Sequence, residues 1–160
     1  MNEQGAGKIL LMEKDSSHSD SLLDRLGQLG YRTDVAHSCD EARLAMGKED
    51  YSVVIACAEL PDWGGPQGVN SLGRGRKRPT MLVTCDQDSR ESAIRCIQKG
   101  AYDYLPRQCE SSRLEITLER AFAEHCLAAK TRRLKRMTWG IAFSTPIWIG
   151  LGMGLAHAIA

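Results

Sequence analysis

Cysteine offers this chain its widest choice of chemistry: nucleophile, soft-metal ligand or half of a disulfide. Six occur among 160 residues, at positions 39, 57, 85, 96, 109 and 126. They form no CxxC pair and no CxxC…HxxxH spacing, which argues against a zinc site, and they are too sparse for a disulfide scaffold. They read as free thiols of a reducing compartment. His18, His37, His125 and His157 share no spacing that suggests a metal site or a phosphoryl relay, and are taken as incidental. Opposite charges crowd together at Glu13-Lys14-Asp15. No hydrolase or transferase constellation emerges, so the chain is read as a non-enzyme.

The elements that must position these groups alternate between strand and helix. Hydrophobic residues make up 42% and charged residues 26%, which fits a globular chain and excludes disorder. Apolar runs predict strands at 8–12 (KILLM), 51–56 (YSVVIA), 80–84 (TMLVT) and, shorter, 101–105; a half-polar strand is expected at 31–36. Ser16 or Ser17 is expected to cap a helix that places Leu22, Leu23, Leu26 and Leu29 on one face, with Gly30 ending it. Ser38 starts a second helix carrying Ala42, Ala45 and Met46. Another is predicted over 89–99 with Ala93, Ile94 and Ile97 inward and Gly100 closing it, and from Ser111 onward Leu114, Leu118, Ala121 and Phe122 keep helical spacing. Between Pro61 and Pro79 the glycines allow only a short or frayed helix. Continuous apolar strands alternating with amphipathic helices imply a five-stranded parallel sheet covered on both faces, a doubly wound α/β fold.

In such a sheet the working crevice lies at the carboxyl ends of the strands. The residues expected there are Glu13, Lys14 and Asp15, then Cys57, Thr84 with Cys85, and Pro106 with Arg107. No glycine-rich phosphate loop follows the first strand, so nucleotide binding has no support.

Four signposts in order, ILLM before an acidic residue, VVIACAELP, PTMLVT and KGAYDYL, resemble the receiver domain of two-component response regulators, the CheY-like fold. The resemblance covers roughly residues 8–128. It implies a domain that accepts a phosphoryl group on aspartate with the help of magnesium, a lysine and a hydroxyl. This chain departs at most of those points. Cys57 stands at the phosphoacceptor position, four residues before Pro61; Glu13 matches the first acidic position and Lys14 the second; Arg107 takes the lysine position, followed by Gln108 where proline is expected. Thr84 keeps the hydroxyl position and Tyr104 the aromatic switch position. Magnesium prefers an anionic oxygen cage. A thiol and an ammonium in place of two carboxylates predict weak or absent magnesium binding, with Glu13 and Asp15 as weak candidate ligands and no other cofactor. The expected function is an atypical receiver serving as a protein–protein interaction module. The alternatives are a working phosphorelay receiver with another acceptor and a thiol sensor at Cys57. In the altered pocket, Lys14 is expected to pair with Glu13 or to polarise Cys57. Cations at Lys14 and Arg107 would lower the thiol's pKa, whereas an inert buried filler is the other reading of Cys57. By alternation Cys85 points away from Cys57, which disfavours a disulfide between them.

The partner face implied by the resemblance is the fourth helix, fifth strand and fifth helix, about residues 89–127. With a net charge of +1 no nucleic-acid partner is expected. The basic loop Arg74–Arg78 is either a contact for acidic headgroups or nucleic acid or a solvated loop. From Met137 to Ala160 there is no Asp, Glu, Lys or Arg. As a helix this segment would run about 36 Å, enough to cross a hydrocarbon core of about 30 Å with some tilt. KTRRLKR, Lys130–Arg136, precedes it and Trp139 stands near that interface, which predicts cytoplasmic placement of the N-terminal part. Gly140, Pro146, Gly150, Gly152 and Gly154 weaken the helix, and a buried soluble helix is the competing reading. Gly150 and Gly154 form a small-xxx-small pair, a possible homodimer seam that also arises by chance. The N-terminal MNEQGAGK lacks the features of a secretory signal. The expected organisation is a tail at 1–7, a receiver-like domain at 8–128, a basic collar at 129–136 and a transmembrane helix at 137–160, single-pass in the bacterial inner (cytoplasmic) membrane.

Overall fold

The structure is a computed structural model that describes residues 7–64, 66–72, 78–86 and 90–130. The chain divides into two compact units, Met1–His125 and Cys126–Ala160. Of the second, residues 126–130 are described, as helix. The anticipated span at 137–160 and most of the basic collar lie outside the described residues, as do 74–77 of the basic loop; Arg78 is exposed. Among the described residues no helix is long and apolar enough to cross a membrane.

Five strands form one parallel sheet: β1 (Ile9–Met12), β2 (Thr33–Ala36), β3 (Val53–Cys57), β4 (Thr80–Cys85) and β5 (Asp103–Pro106). Their spatial order is β2-β1-β3-β4-β5. The helices are α1 (Ser16–Gln28), α2 (Cys39–Lys48), α3 (Pro66–Leu72), α4 (Arg90–Gln98) and α5 (111–130). Among its described residues the expected weak region after β3 holds a 3-10 turn, Pro61–Trp63, and the seven-residue α3.

Strands β1 and β3 are buried at every residue because helices cover both faces, which is why they read as unbroken apolar runs. One face sets Leu10, Met12, Val54, Ala56, Met81 and Val83 against residues of α2, α3 and α4. The other sets Ile9, Leu11, Val53, Ile55, Leu82 and Leu105 against Leu22 and Leu26 of α1 and Leu114, Leu118 and Ala121 of α5. Each such Leu or Ile removed from water contributes about 1.5–3 kcal/mol. Tyr31 stacks on Phe122 with ring centroids 5.1 Å apart.

Two local expectations need correction. Asp15, not Ser16 or Ser17, caps α1: its carboxylate accepts from the Ser17 backbone N–H at 3.1 Å and from the Ser17 hydroxyl at 2.8 Å. A carboxylate one residue upstream reaches the free N–H groups of the first turn and so takes the cap. Ile94 is 52% exposed, while Cys96 takes the inward place in α4 with Ala93. Ser38 caps α2 as anticipated, accepting from the Glu41 N–H at 3.2 Å. Gly30 and Gly100 follow α1 and α4 with φ of 81° and 109°, a left-handed conformation that favours glycine.

A polar clamp closes the amino end of the sheet. Lys8 pairs with Asp34 at 2.6 Å and with Glu49, and the Tyr51 hydroxyl donates to Asp34 at 2.6 Å.

Candidate functional site

Side chains alternate along a strand, so residues two apart share a face. Extending Ile9 and Leu11 gives Glu13; Val53 and Ile55 give Cys57; Leu82 gives Thr84; Leu105 gives Arg107. The four gather at the carboxyl end of the sheet, where Cys57 also joins the apolar cluster on the side covered by α2, α3 and α4. The β3–β4 register sets Cys57 directly beside Thr84. Cys85 has the opposite parity, and all six cysteines are free thiols.

Arg107 ties the site together. Its Nη2 donates to Glu13 Oε1 at 2.9 Å and to Cys57 Sγ at 3.1 Å, and Nη1 lies 3.6 Å from Asp86 Oδ2. The Glu13 side chain is 1% exposed and that of Arg107 18%. Glu13 Oε1 also accepts from the backbone N–H groups of Lys14 (3.2 Å) and Asp15 (3.4 Å). The loop is braced from below, where His37 Nδ1 lies 3.0 Å from the Glu13 carbonyl. These groups line a cleft of about 400 Å³ bounded by Glu13, Lys14, Asp15, Cys57, Glu59 and Arg107.

The expected cation at Glu13 is thus present but comes from a different residue. Lys14 lies exposed on the rim, and the buried ion pair belongs to Arg107. The reason is again parity: position 14 leaves β1 on the side opposite to 13, whereas position 107 shares the face of Glu13 and Cys57. Burial pushes the Cys57 thiol above its ordinary range, although hydrogen bonds from the Glu59 backbone and Arg107 pull the other way. The expectation of a lowered thiol pKa is therefore reversed, because desolvation outweighs the guanidinium. Burial also works against the Arg107 charge, but Cys57, Glu13 and Asp86 outweigh it. The Ser17 hydrogen bonds hold the Asp15 carboxyl below its usual value. Thr84 is 2% exposed. Tyr104 is half-buried, with the Arg113 guanidinium 5.8 Å from its ring centroid.

The donor set does not fit magnesium. Glu13 Oε1 is committed to a guanidinium that Asp86 also faces, Asp15 is committed to a helix cap, and a soft thiol lines the cleft with them, Glu59 being the further carboxylate there. Among the described residues no three His, Cys, Asp or Glu side chains gather into a metal-holding group. Sequence reasoning missed Asp86 and Glu59, each two residues beyond a strand-end position it had singled out. Reading two residues past every strand would have found both.

Comparison with known proteins gives the family. The response regulator receiver domain profile matches residues 9–119, more than half of the chain. The transcriptional regulatory protein ZraR of Escherichia coli (strain K12) is 24% identical over 139 residues, covering 86% of this chain and 32% of ZraR. HprR of the same organism is 29% identical over 119 residues, 74% of this chain and 52% of that protein. PmrA of Pectobacterium parmentieri is 33% identical over 104 residues, 62% of this chain and 45% of PmrA. The chain therefore spans about a third to a half of these relatives. Among solved structures, NtrX from Brucella abortus superposes with a TM-score of 0.72 at 22% identity, covering 81% of this chain and 29% of NtrX. A putative response regulator from Chloroflexus aurantiacus J-10-fl gives 0.68 at 23% identity, covering 73% of this chain and 98% of that one. These structures share the fold, and with the family match they place this chain among the response regulator receiver domains.

Proposed function

We propose that this receiver is a membrane-anchored interaction module of two-component signalling that works without aspartate phosphorylation. The observation that carries the reading is the Arg107 bridge: one guanidinium nitrogen spans Glu13 Oε1 and the Cys57 thiol, the two positions at which a conventional receiver holds metal and phosphoryl group. An internal cation there neutralises the buried carboxylate through one of its oxygens without a ligand, and a thiol offers no carboxylate for an acyl phosphate. Incubation of the full chain, in mild detergent, with millimolar magnesium and acetyl phosphate should leave its intact mass unchanged. A stable gain of one phosphoryl group overturns the reading.

The partner face of the proposal is that of α4, β5 and α5, about residues 89–127, where Ile94, Tyr102 and Ile116 are exposed. The named relatives are transcriptional regulators of which the chain covers only part, so their DNA targets are not carried over and the partner proposed is a signalling protein. The uncharged segment 137–160 behind five cations in seven residues supports the anchor, with the receiver in the cytoplasm. A reporter fused after Ala160 should behave as exported, and the protein should sediment with membranes. Recovery in the supernatant after high-speed centrifugation overturns the anchor.

A further inference from the structure

We infer that Cys57 is a site of one-oxygen oxidation: the cleft admits a small hydroperoxide, and the groups around the thiol hold the resulting sulfenic acid. This goes beyond the interaction-module reading and rests on it only in that Cys57 carries no phosphoryl group.

Three buried polar atoms around Cys57 have no hydrogen-bond partner: Glu13 Oε2, Thr84 Oγ1 and Arg107 Nε. Each belongs to a side chain that shares the Cys57 face. Thr84 is its in-register neighbour on β4. Arg107 touches Sγ through Nη2, and that nitrogen also binds the other oxygen of Glu13. Buried groups left unpaired cost stability, so three together at one end of a sheet point to something that completes them. They comprise one acceptor, one donor and one hydroxyl that is either. A thiol contributes little to such a set, since sulfur hydrogen-bonds weakly. One added oxygen changes that. The S–OH oxygen accepts from the Arg107 Nε–H or the Thr84 hydroxyl, and its hydrogen donates to Glu13 Oε2.

The step balances with hydrogen peroxide as oxidant. The sulfur attacks one peroxide oxygen, the S–O bond forms as the O–O bond breaks, and the thiol proton ends on the departing hydroxide, which leaves as water. Sulfur loses two electrons and the peroxide gains them. Burial pushes the Cys57 thiol up and so lowers its thiolate fraction, which makes the reaction slow and responsive to sustained rather than trace oxidant. Cys57 is part of the lining of the cleft, and at 1% exposure its burial slows the oxidant further.

The test treats the folded full-length chain, in mild detergent, with dilute hydrogen peroxide, then removes the oxidant with catalase. The chain is next unfolded in the presence of dimedone and iodoacetamide, and each cysteine is mapped by mass spectrometry. Exposed Cys126 is the internal control for oxidant dose. Cys57 should carry the sulfenic-acid adduct. Thr84→Val should lower its yield relative to Cys126 roughly tenfold, the scale of one hydrogen bond in a buried site, and Thr84→Ser should restore it. Two outcomes overturn the inference: Cys57 recovered as alkylated thiol at doses that oxidise Cys126, or Thr84→Val oxidising as fast as the parent. One added oxygen and one added phosphoryl group differ in mass, so failure here and failure of the non-phosphorylated reading are separately visible.

Discussion

Replacing Arg107 with leucine removes the guanidinium that bridges Glu13 and Cys57 and leaves Glu13, 1% exposed, to hold its charge with two long backbone hydrogen bonds. Breaking a fully buried ion pair from one side costs about 3–5 kcal/mol. Two features reduce the figure here. Arg107 is 18% exposed beside an open cleft, so water reaches the vacated place, and the Lys14 and Asp15 N–H groups stay on Oε1. We therefore expect a loss of about 2–3 kcal/mol, or roughly 5–10 °C in Tm for a chain of this size. Urea titration of parent and variant in the same detergent, followed by far-ultraviolet circular dichroism, measures it. Adding Glu13→Gln removes the stranded charge and should recover at least half of the loss. A cost below about 1 kcal/mol, or a double variant no more stable than the single one, refutes the argument that Arg107 is the principal partner of Glu13. If Lys14 instead swings in to take the place, Lys14→Ala on the Arg107→Leu background exposes a penalty that Arg107→Leu alone does not show.

Three further outcomes are expected. Lys14→Asp alone should recover at most weak magnesium binding, and only Lys14→Asp with Cys57→Asp should restore both metal binding and phosphoryl uptake, read by magnesium titration and phosphodonor labelling; a silent double variant means the pocket does not map onto the receiver pattern. At Asp34, burial opposes the charge, but hydrogen bonds from Lys8 and Tyr51 outweigh it and hold the carboxyl below its usual value. Its stabilisation is complete above the unfolded-state pKa and is lost as pH falls through the lowered native value. Asp34→Asn should therefore flatten the acid limb of a stability–pH profile, and an unchanged limb would show that the clamp contributes nothing there. Ser38→Ala removes the α2 cap and should cost about 1 kcal/mol, checked by thermal unfolding, with no effect on Cys57 oxidation.

The strand–helix alternation and the choice of sheet face were legible because both rest on periodicity, which apolar residues print directly into the sequence. Glu13, Cys57, Thr84 and Arg107 could be placed at strand ends for the same reason. Which cation would claim Glu13 was less legible. Lys14 is adjacent in sequence, but adjacency along a strand means opposite faces. The sign of the Cys57 shift depended on comparing burial with a nearby charge, and burial at 1% exposure is a tertiary property. The capping by Asp15 rather than Ser16 or Ser17 turns on a single residue at a helix start, the scale at which sequence patterns blur.

The two polar clamps bear on how long the folded domain lasts once formed. Lys8 and Glu49 lie 41 positions apart and Glu13 and Arg107 94. Contacts between such distant segments must wait for the intervening loops to close, which places them late on the folding route. Interactions absent from the transition state slow unfolding while leaving the folding rate nearly untouched. The sheet is thus fastened at both ends of β1 by latches that act on the rate of opening. Substitutions in either clamp should shorten the lifetime of the native state and leave the speed of its assembly unchanged.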